Sequence, residues 1–204
     1  MQKAFEEVGM TPPNLKLLET TLTRGYALES WLKVLLEEQN ISDSQITSMA
    51  NAYRKVYQQY SRAHACLYPE VENVLSELKA QNKKIWIFSN KSEQVLIENT
   101  EQLGINSYFD GIFGCTSNIE EEMKPFPHMF QNRFRQSMPV INTNHILMVG
   151  DTCTDIRFAK NICVDVCWAT YGYGDKSTCP SYSPNYAISN LLQILDLPQH
   201  YIHT

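Results

Sequence analysis

Apolar residues in the first eighty positions recur at helical spacing. Leu15, Leu18 and Leu22 share one face, and so do Leu28, Trp31, Leu32, Leu35 and Leu36. Ser42 or Asp43 can cap a long helix running to about His64, with Ile46, Met49, Tyr53, Val56, Tyr57 and Tyr60 on its apolar side. Ahead of these, residues 3–8 suit the end of a helix closed by Gly9 and followed by Pro12 and Pro13. Behind them, Val71, Val74, Leu75 and Leu78 predict a helix near 70–81.

The pattern then changes. Lys84-Ile85-Trp86-Ile87-Phe88-Ser89 is a short apolar run of the kind that forms a buried parallel strand. Asn90, with Glu93 three residues on, predicts a capping-box start for a helix that ends at Gly104. Gly111-Ile112-Phe113-Gly114 reads as a second short strand, and a helix follows over roughly 126–137. His145 to Val149 is a strand running into Gly150-Asp151. A helix from about 153 to Asn161 leads to another strand, Val164 to Trp168. Tyr, Gly, Ser and Pro dominate 170–186, which reads as loop, and Ile188 to Leu195 as a closing helix. Strands alternating with helices predict an α/β fold with a parallel sheet, and the helical first third predicts an added helical lobe.

Composition narrows the classes. With 204 residues and 43% hydrophobic content, the chain suits one globular domain, or a core with a small inserted one. No apolar run approaches the roughly 18 residues that span a bilayer, and the N-terminus lacks the apolar stretch of a secretory signal. A net charge of −5 without a basic run argues against nucleic-acid or anionic-membrane partners. The six cysteines form no CxxC pair and the histidines have no zinc-type spacing, so the cysteines read as reduced in a cytoplasmic protein.

In a parallel sheet, ligands bind outside the carboxyl ends of the strands, and three features fall there. Ser89-Asn90 either caps the next helix or offers a hydroxyl and free N–H groups to a phosphate. Gly150-Asp151-Thr152-Cys153-Thr154-Asp155 places two carboxylates four residues apart; they suit Mg²⁺, or else cap a helix. Lys124-Pro125 supplies either a compact positive charge for a phosphate or a surface lysine.

Taken in order, apolar strand–Ser–Asn, Lys-Pro, and apolar strand–Gly-Asp-x-x-x-Asp resemble the phosphatases of the haloacid dehalogenase superfamily, from Met1 to about Leu197. The resemblance implies a parallel, Rossmann-like α/β core over 67–204, an α-helical cap over 14–66, and a remnant of the first core helix with its linker over 1–13. It also implies that Ser89, with Asn90, binds phosphate and that Lys124 is catalytic, steadying the nucleophile and the transferring phosphoryl group. Asp151 and Asp155 would serve a Mg²⁺ cofactor, and Arg24 could reach an anionic substrate from the cap. Leu103-Gly104-Ile105, Tyr108-Phe109-Asp110 and Tyr171-Gly172-Tyr173-Gly174 look like phosphoglycolate phosphatases, which implies hydrolysis of a small phosphorylated metabolite. Leu67-Tyr68-Pro69-Glu70-Val71 resembles that group's Pro-Gly-Val entry to the core, with Glu70 in place of glycine.

One departure is large. The family's first motif is Asp-x-Asp-x-Thr, whose first aspartate is the nucleophile, and no Asp-x-Asp occurs in this sequence. Met1 aligns, by resemblance, within the helix that follows that motif. The expectation is therefore a chain lacking about 5–6 residues of strand and inactive as it stands. That strand would be the middle of the sheet, between the strands ending at Ser89 and Val149. Its absence would leave a gap of roughly 10 Å with unpaired N–H and C=O groups on both sides. Then either the inner strands close up, or another chain fills the slot (a homodimer being one form of this), or the protein begins upstream. Two other functions stand beside the phosphatase. A non-catalytic binding protein could hold a phosphorylated ligand at Ser89, Lys124 and Asp151. A haloacid dehalogenase ranks last, because carbon–halogen displacement needs no magnesium-type acidic pair.

Overall fold

A computed structural model describes residues 1–22, 26, 28–39, 41–117 and 119–198, so Arg24 lies outside the described residues. The chain divides into two compact units, Met1–Cys66 and Leu67–Thr204.

The first unit is helical: α1 (Gln2–Glu7), α2 (Leu15–Leu22), α3 (Leu28–Leu36) and α4 (Asp43–His64). Both α1 and α3 pack on α4, and Phe5, Leu32, Leu36 and Met49 are buried between them. Residues near the N-terminus thus share the core of the helical unit, since Ala4 and Phe5 are fully covered. Trp31 Nε1–H donates to Thr21 Oγ1 at 2.7 Å, which satisfies both polar groups inside the apolar seam. Tyr53 stands edge-on to Trp31, and burial pushes its phenol up to about 12.

The second unit alternates helix and strand: α5 (Val71–Ala80), β1 (Trp86–Ser92), α6 (Glu93–Gln102) and β2 (Gly111–Cys115). A π-helical stretch, Met129–Phe134, continues into a short helix α7 (Arg135–Ser137). Then come β3 (Leu147–Gly150), α8 (Cys153–Asn161), β4 (Asp165–Ala169) and β5 (Tyr186–Ile188). All strand pairs are parallel, β1 with β2 and β3–β4–β5 in that order. Asp110 pins the entry to β1: its carboxylate takes the Ile85 N–H at 2.9 Å and the ammonium groups of Lys79 and Lys84 at 2.9 and 3.0 Å. Partial burial alone would raise its carboxyl, but the Ile85 N–H and these two lysines hold it at about 2.

Three elements differ from the sequence pattern, each for a local reason. The helix expected from Asn90 begins at Glu93, and β1 runs on through an irregular register between Phe88 and Ser92. Both halves of the expected capping box are committed elsewhere. The Asn90 side chain binds the Lys124 backbone, while the Glu93 carboxylate takes the Gly114 N–H at 3.0 Å and pairs with Arg133. Within the expected loop and at the start of the expected closing helix lies β5, an edge strand held to β4, and Thr170 N–H donates to the Ile188 carbonyl at 2.9 Å. The closing segment, Leu191–Asp196, is a 3₁₀ helix. Glu70, which replaces glycine at the entry to the core, adopts φ 65°, the left-handed conformation that glycine takes without strain.

The inner strands have not closed up. Among the described residues β1 is paired only with β2, and β3 only with β4. Between them lies a cavity of about 420 Å³, bordered by Ile87 and Phe88 of β1 and Met148 and Val149 of β3. Leu75 and Phe158 also line it. Accordingly β1 and β3 stay half-buried, whereas Val166 to Ala169 of β4, paired on both edges, are buried.

Candidate active site

The carboxyl ends of β1 and β3 converge on Lys124. From β1, the Asn90 side chain clamps the Lys124 backbone: its Oδ1 accepts from the Lys124 N–H at 2.7 Å, and its Nδ2 donates to the Lys124 carbonyl at 2.9 Å. A carboxamide suits this role because it is donor and acceptor at once. From the β3 side, Asp155 Oδ1 accepts the Lys124 ammonium at 2.5 Å. Both side chains of that ion pair are about 10% exposed, so each charge depends on the other in a poorly solvated place.

The helix start explains where Asp155 points. Thr152 caps α8, and Asp155 reaches back so that its Oδ2 accepts the Thr152 N–H at 3.0 Å and the Thr152 hydroxyl at 2.8 Å, a full capping box. Burial alone would raise the Asp155 carboxyl, but the Lys124 ammonium and the two Thr152 donors outweigh it and hold the group below the usual carboxylate range.

Asp151 is the contrasting carboxylate. Burial pushes its carboxyl up; the Tyr173 N–H, donating to Oδ2 at 2.7 Å, works against this, and the nearby Asp155 charge adds to the rise. The chain around it is tightly fitted. A Cβ on Gly172 would stand 2.3 Å from the Asp151 Cβ, and one on Gly174 only 1.8 Å from the Asp151 carbonyl oxygen. The Trp168 indole N–H donates to that same carbonyl at 3.0 Å. The Tyr171-Gly172-Tyr173-Gly174 segment therefore wraps Asp151, and only glycine permits the approach.

Of the residues singled out from the sequence, the structure gathers Asn90, Lys124, Asp151 and Asp155 around one cluster, with Ser89 next to Asn90 on β1. The Ser89 hydroxyl accepts from the Lys91 N–H at 3.2 Å. Thr152, the Tyr173 N–H and the two glycines were not singled out as site residues. The glycine pair was the available signal, since paired glycines after a buried strand mark a close backbone approach. Among the described residues no group of three or more His, Cys, Asp or Glu side chains is placed to hold a metal ion.

Fold and cluster together define an α/β protein with a lysine and two unlike carboxylates at the carboxyl ends of parallel strands, where such folds bind ligands. Comparison with known proteins gives the family. A family model described as haloacid dehalogenase-like hydrolase matches residues 1–169. A phosphoglycolate phosphatase of Neisseria gonorrhoeae is 31% identical over 173 residues, covering 84% of this chain and 71% of that protein. One from Neisseria meningitidis is 29% identical over 197 residues, covering 94% and 82%. Among solved structures, a putative haloacid dehalogenase-like hydrolase from Bacteroides fragilis superposes with a TM-score of 0.80 at 24% identity, covering 95% of this chain and 88% of that one. The chain belongs to the haloacid dehalogenase-like hydrolases.

Proposed function

We propose that the protein is a phosphatase of small phosphorylated metabolites, with phosphoglycolate the first substrate to try. The observation that carries the reading is the buried Lys124–Asp155 pair beside Asp151, in a family whose relatives include phosphoglycolate phosphatases. Asn90 fixes the Lys124 backbone and Asp155 fixes its ammonium. Lys124 is thereby held as a positioned charge for the oxygens of a phosphoryl group. Ser89, one residue before the clamp, is the proposed hydroxyl donor to the phosphate.

The donor set also fits Mg²⁺, with the two carboxylates in different roles. Asp155 has one oxygen on Lys124 and the other on Thr152, so it serves the site by holding Lys124. Asp151 is a half-buried carboxylate next to a second one, and a divalent cation would relieve that repulsion. One protein carboxylate with waters and substrate oxygens is a usual shell for Mg²⁺. When bound, the ion would neutralise phosphate charge. The chain's own residues would orient the ester: Lys124 would meet its oxygens, and the Tyr173 N–H fixes the Asp151 carboxylate that would hold the ion. The 204 residues contain no Asp-x-Asp pair, so the attacking carboxylate implied by the resemblance is not among the groups assigned here. Six free cysteines favour a reducing compartment, and the cytoplasm is the one proposed. Among the described residues no helix is long and apolar enough to cross a membrane.

The test is release of inorganic phosphate from 2-phosphoglycolate by a form of the protein that carries an Asp-x-Asp-x-Thr segment ahead of Met1, because the 204 residues alone hold no such attacking carboxylate. Mg²⁺-dependent release, abolished by a chelator, is expected. No release from 2-phosphoglycolate or from a panel of small phosphate monoesters would overturn the reading. Dehalogenation has no comparable support: neither Lys124 in its anionic surroundings nor the phosphatase relatives favour a carbon–halogen bond.

A further inference from the structure

Cys153 and Cys179 come from different turns, 26 residues apart, yet their sulfur atoms stand 3.0 Å from each other. Both are free thiols and both are buried, Cys153 at 9% exposure and Cys179 at 0%. Two hydrogen-bonded supports set this approach. Cys153 is the first residue of α8, held by the Thr152–Asp155 capping box. Cys179 begins a 3₁₀ turn, Cys179–Tyr182, whose start is organised by Asp175. The Asp175 carboxylate accepts the Ser177 N–H at 2.8 Å and the Thr178 hydroxyl at 2.7 Å, and its carbonyl accepts the Cys179 N–H at 2.9 Å. A disulfide needs the sulfurs at about 2.05 Å, so the pair must close by only about 1 Å.

We propose that Cys153 and Cys179 form a reversible disulfide when the protein meets a small peroxide, stapling the 3₁₀ turn that follows the Asp151-wrapping segment to the first turn of α8. Hydrogen peroxide is small enough to approach Cys153, which keeps 9% exposure as a residue. The Cys153 thiol attacks a peroxide oxygen, the O–O bond breaks, and the products are a Cys153 sulfenic acid and one water. The Cys179 sulfur then attacks the Cys153 sulfur. The S–O bond breaks, the hydroxyl leaves with the Cys179 proton as a second water, and the S–S bond is made. Peroxide gains two electrons and the two thiols lose them; a small thiol such as dithiothreitol returns them by exchange.

The structure also fixes the consequence. Because the sulfurs need to close by only about 1 Å, the bond is expected to stiffen the fold with little displacement of the Asp151–Asp155 cluster. Burial and the neighbouring Cys153 push the Cys179 thiol up, so its attack on the Cys153 sulfur is expected to be the slow step.

The test treats the intact protein with hydrogen peroxide, blocks remaining thiols by alkylation, and maps the cysteines by mass spectrometry without reduction. The expected product is one linked peptide pair holding Cys153 and Cys179, lighter by two hydrogens, and separated again by dithiothreitol. The melting temperature should rise by roughly 5–10 °C on oxidation and fall back on reduction. Cys179→Ser should show neither the linked pair nor the rise. Should that variant not fold, the mapping and the reversible melting shift of the unaltered protein decide the matter alone. Recovery of both cysteines alkylated while the exposed Cys66 and Cys163 are oxidised would overturn the proposal. So would a linked pair that leaves the melting temperature unchanged.

Discussion

The β1–β2 half and the β3–β5 half of the second unit bring opposite chemistry to the same lysine. At the end of β1 the contribution is neutral and saturated: Asn90 satisfies both backbone groups of Lys124. At the end of β3 it is charged and unbalanced: the buried Asp155 and the half-buried Asp151 share one ammonium. The first half fixes where Lys124 is, and the second fixes what it is attracted to. The lesson is that position and charge are supplied from different strands, so they should fail separately.

The largest effect is expected from removing the shared charge. Lys124→Met leaves Asp155 buried without its cation, and chemical denaturation should show a loss of about 3–5 kcal/mol. Asn90→Ala leaves the ion pair but orphans the Lys124 backbone groups; a loss of about 1–3 kcal/mol is expected, with inorganic phosphate bound more weakly. If the two substitutions cost the same and affect phosphate identically, the division of labour is wrong.

Asp151→Asn should act in the other direction. The Asp151 carboxyl lies above its ordinary value of 3.8, so ionising it costs the folded state more than the unfolded one. Stability is therefore lost as pH rises from 3.8 through the raised value, and the variant should melt higher than the metal-free parent at neutral pH. The advantage should vanish below pH 3.8, where both forms are uncharged there. Asp155, held low, has the opposite sign: its contribution is present above 3.8 and lost as pH falls through its depressed value. A pH series of melting temperatures on parent and variant checks both signs.

The smallest effect lies outside the cluster. Glu70→Gly relieves a left-handed backbone at the head of α5 and should add about 0.5–1 kcal/mol. No gain in a denaturation midpoint would mean that the Asn73–Glu70 contact, at 3.2 Å, offsets the strain.

How much of this was legible in the sequence follows from the kind of interaction. Residues 86–88, 147–149 and 166–168 announce themselves as strands because a parallel strand covered on both faces is a continuous apolar run. The long α4 helix shows through Ile46, Met49, Tyr53 and Val56. That Lys124, Asp151 and Asp155 meet was signalled by the order of their motifs and, for the two aspartates, by their place after an apolar run. The Asn90 clamp was not, because a side chain reaching a backbone 34 residues away leaves no periodic trace. For the same reason Asn90 and Glu93 looked like a helix cap, when each was already committed elsewhere. The three residues of β5 are too few for a pattern to emerge. The unequal roles of Asp151 and Asp155 depend on the Thr152 and Tyr173 N–H donors, and only the folded chain places those.

The most direct test of the site is calorimetric titration of Mg²⁺, in the presence of inorganic phosphate, into the protein and its Asp151→Asn variant. Binding by the protein and none by the folded variant is the expected result. Equal binding by both, or none by the unaltered protein, would contradict the assignment of the metal to Asp151.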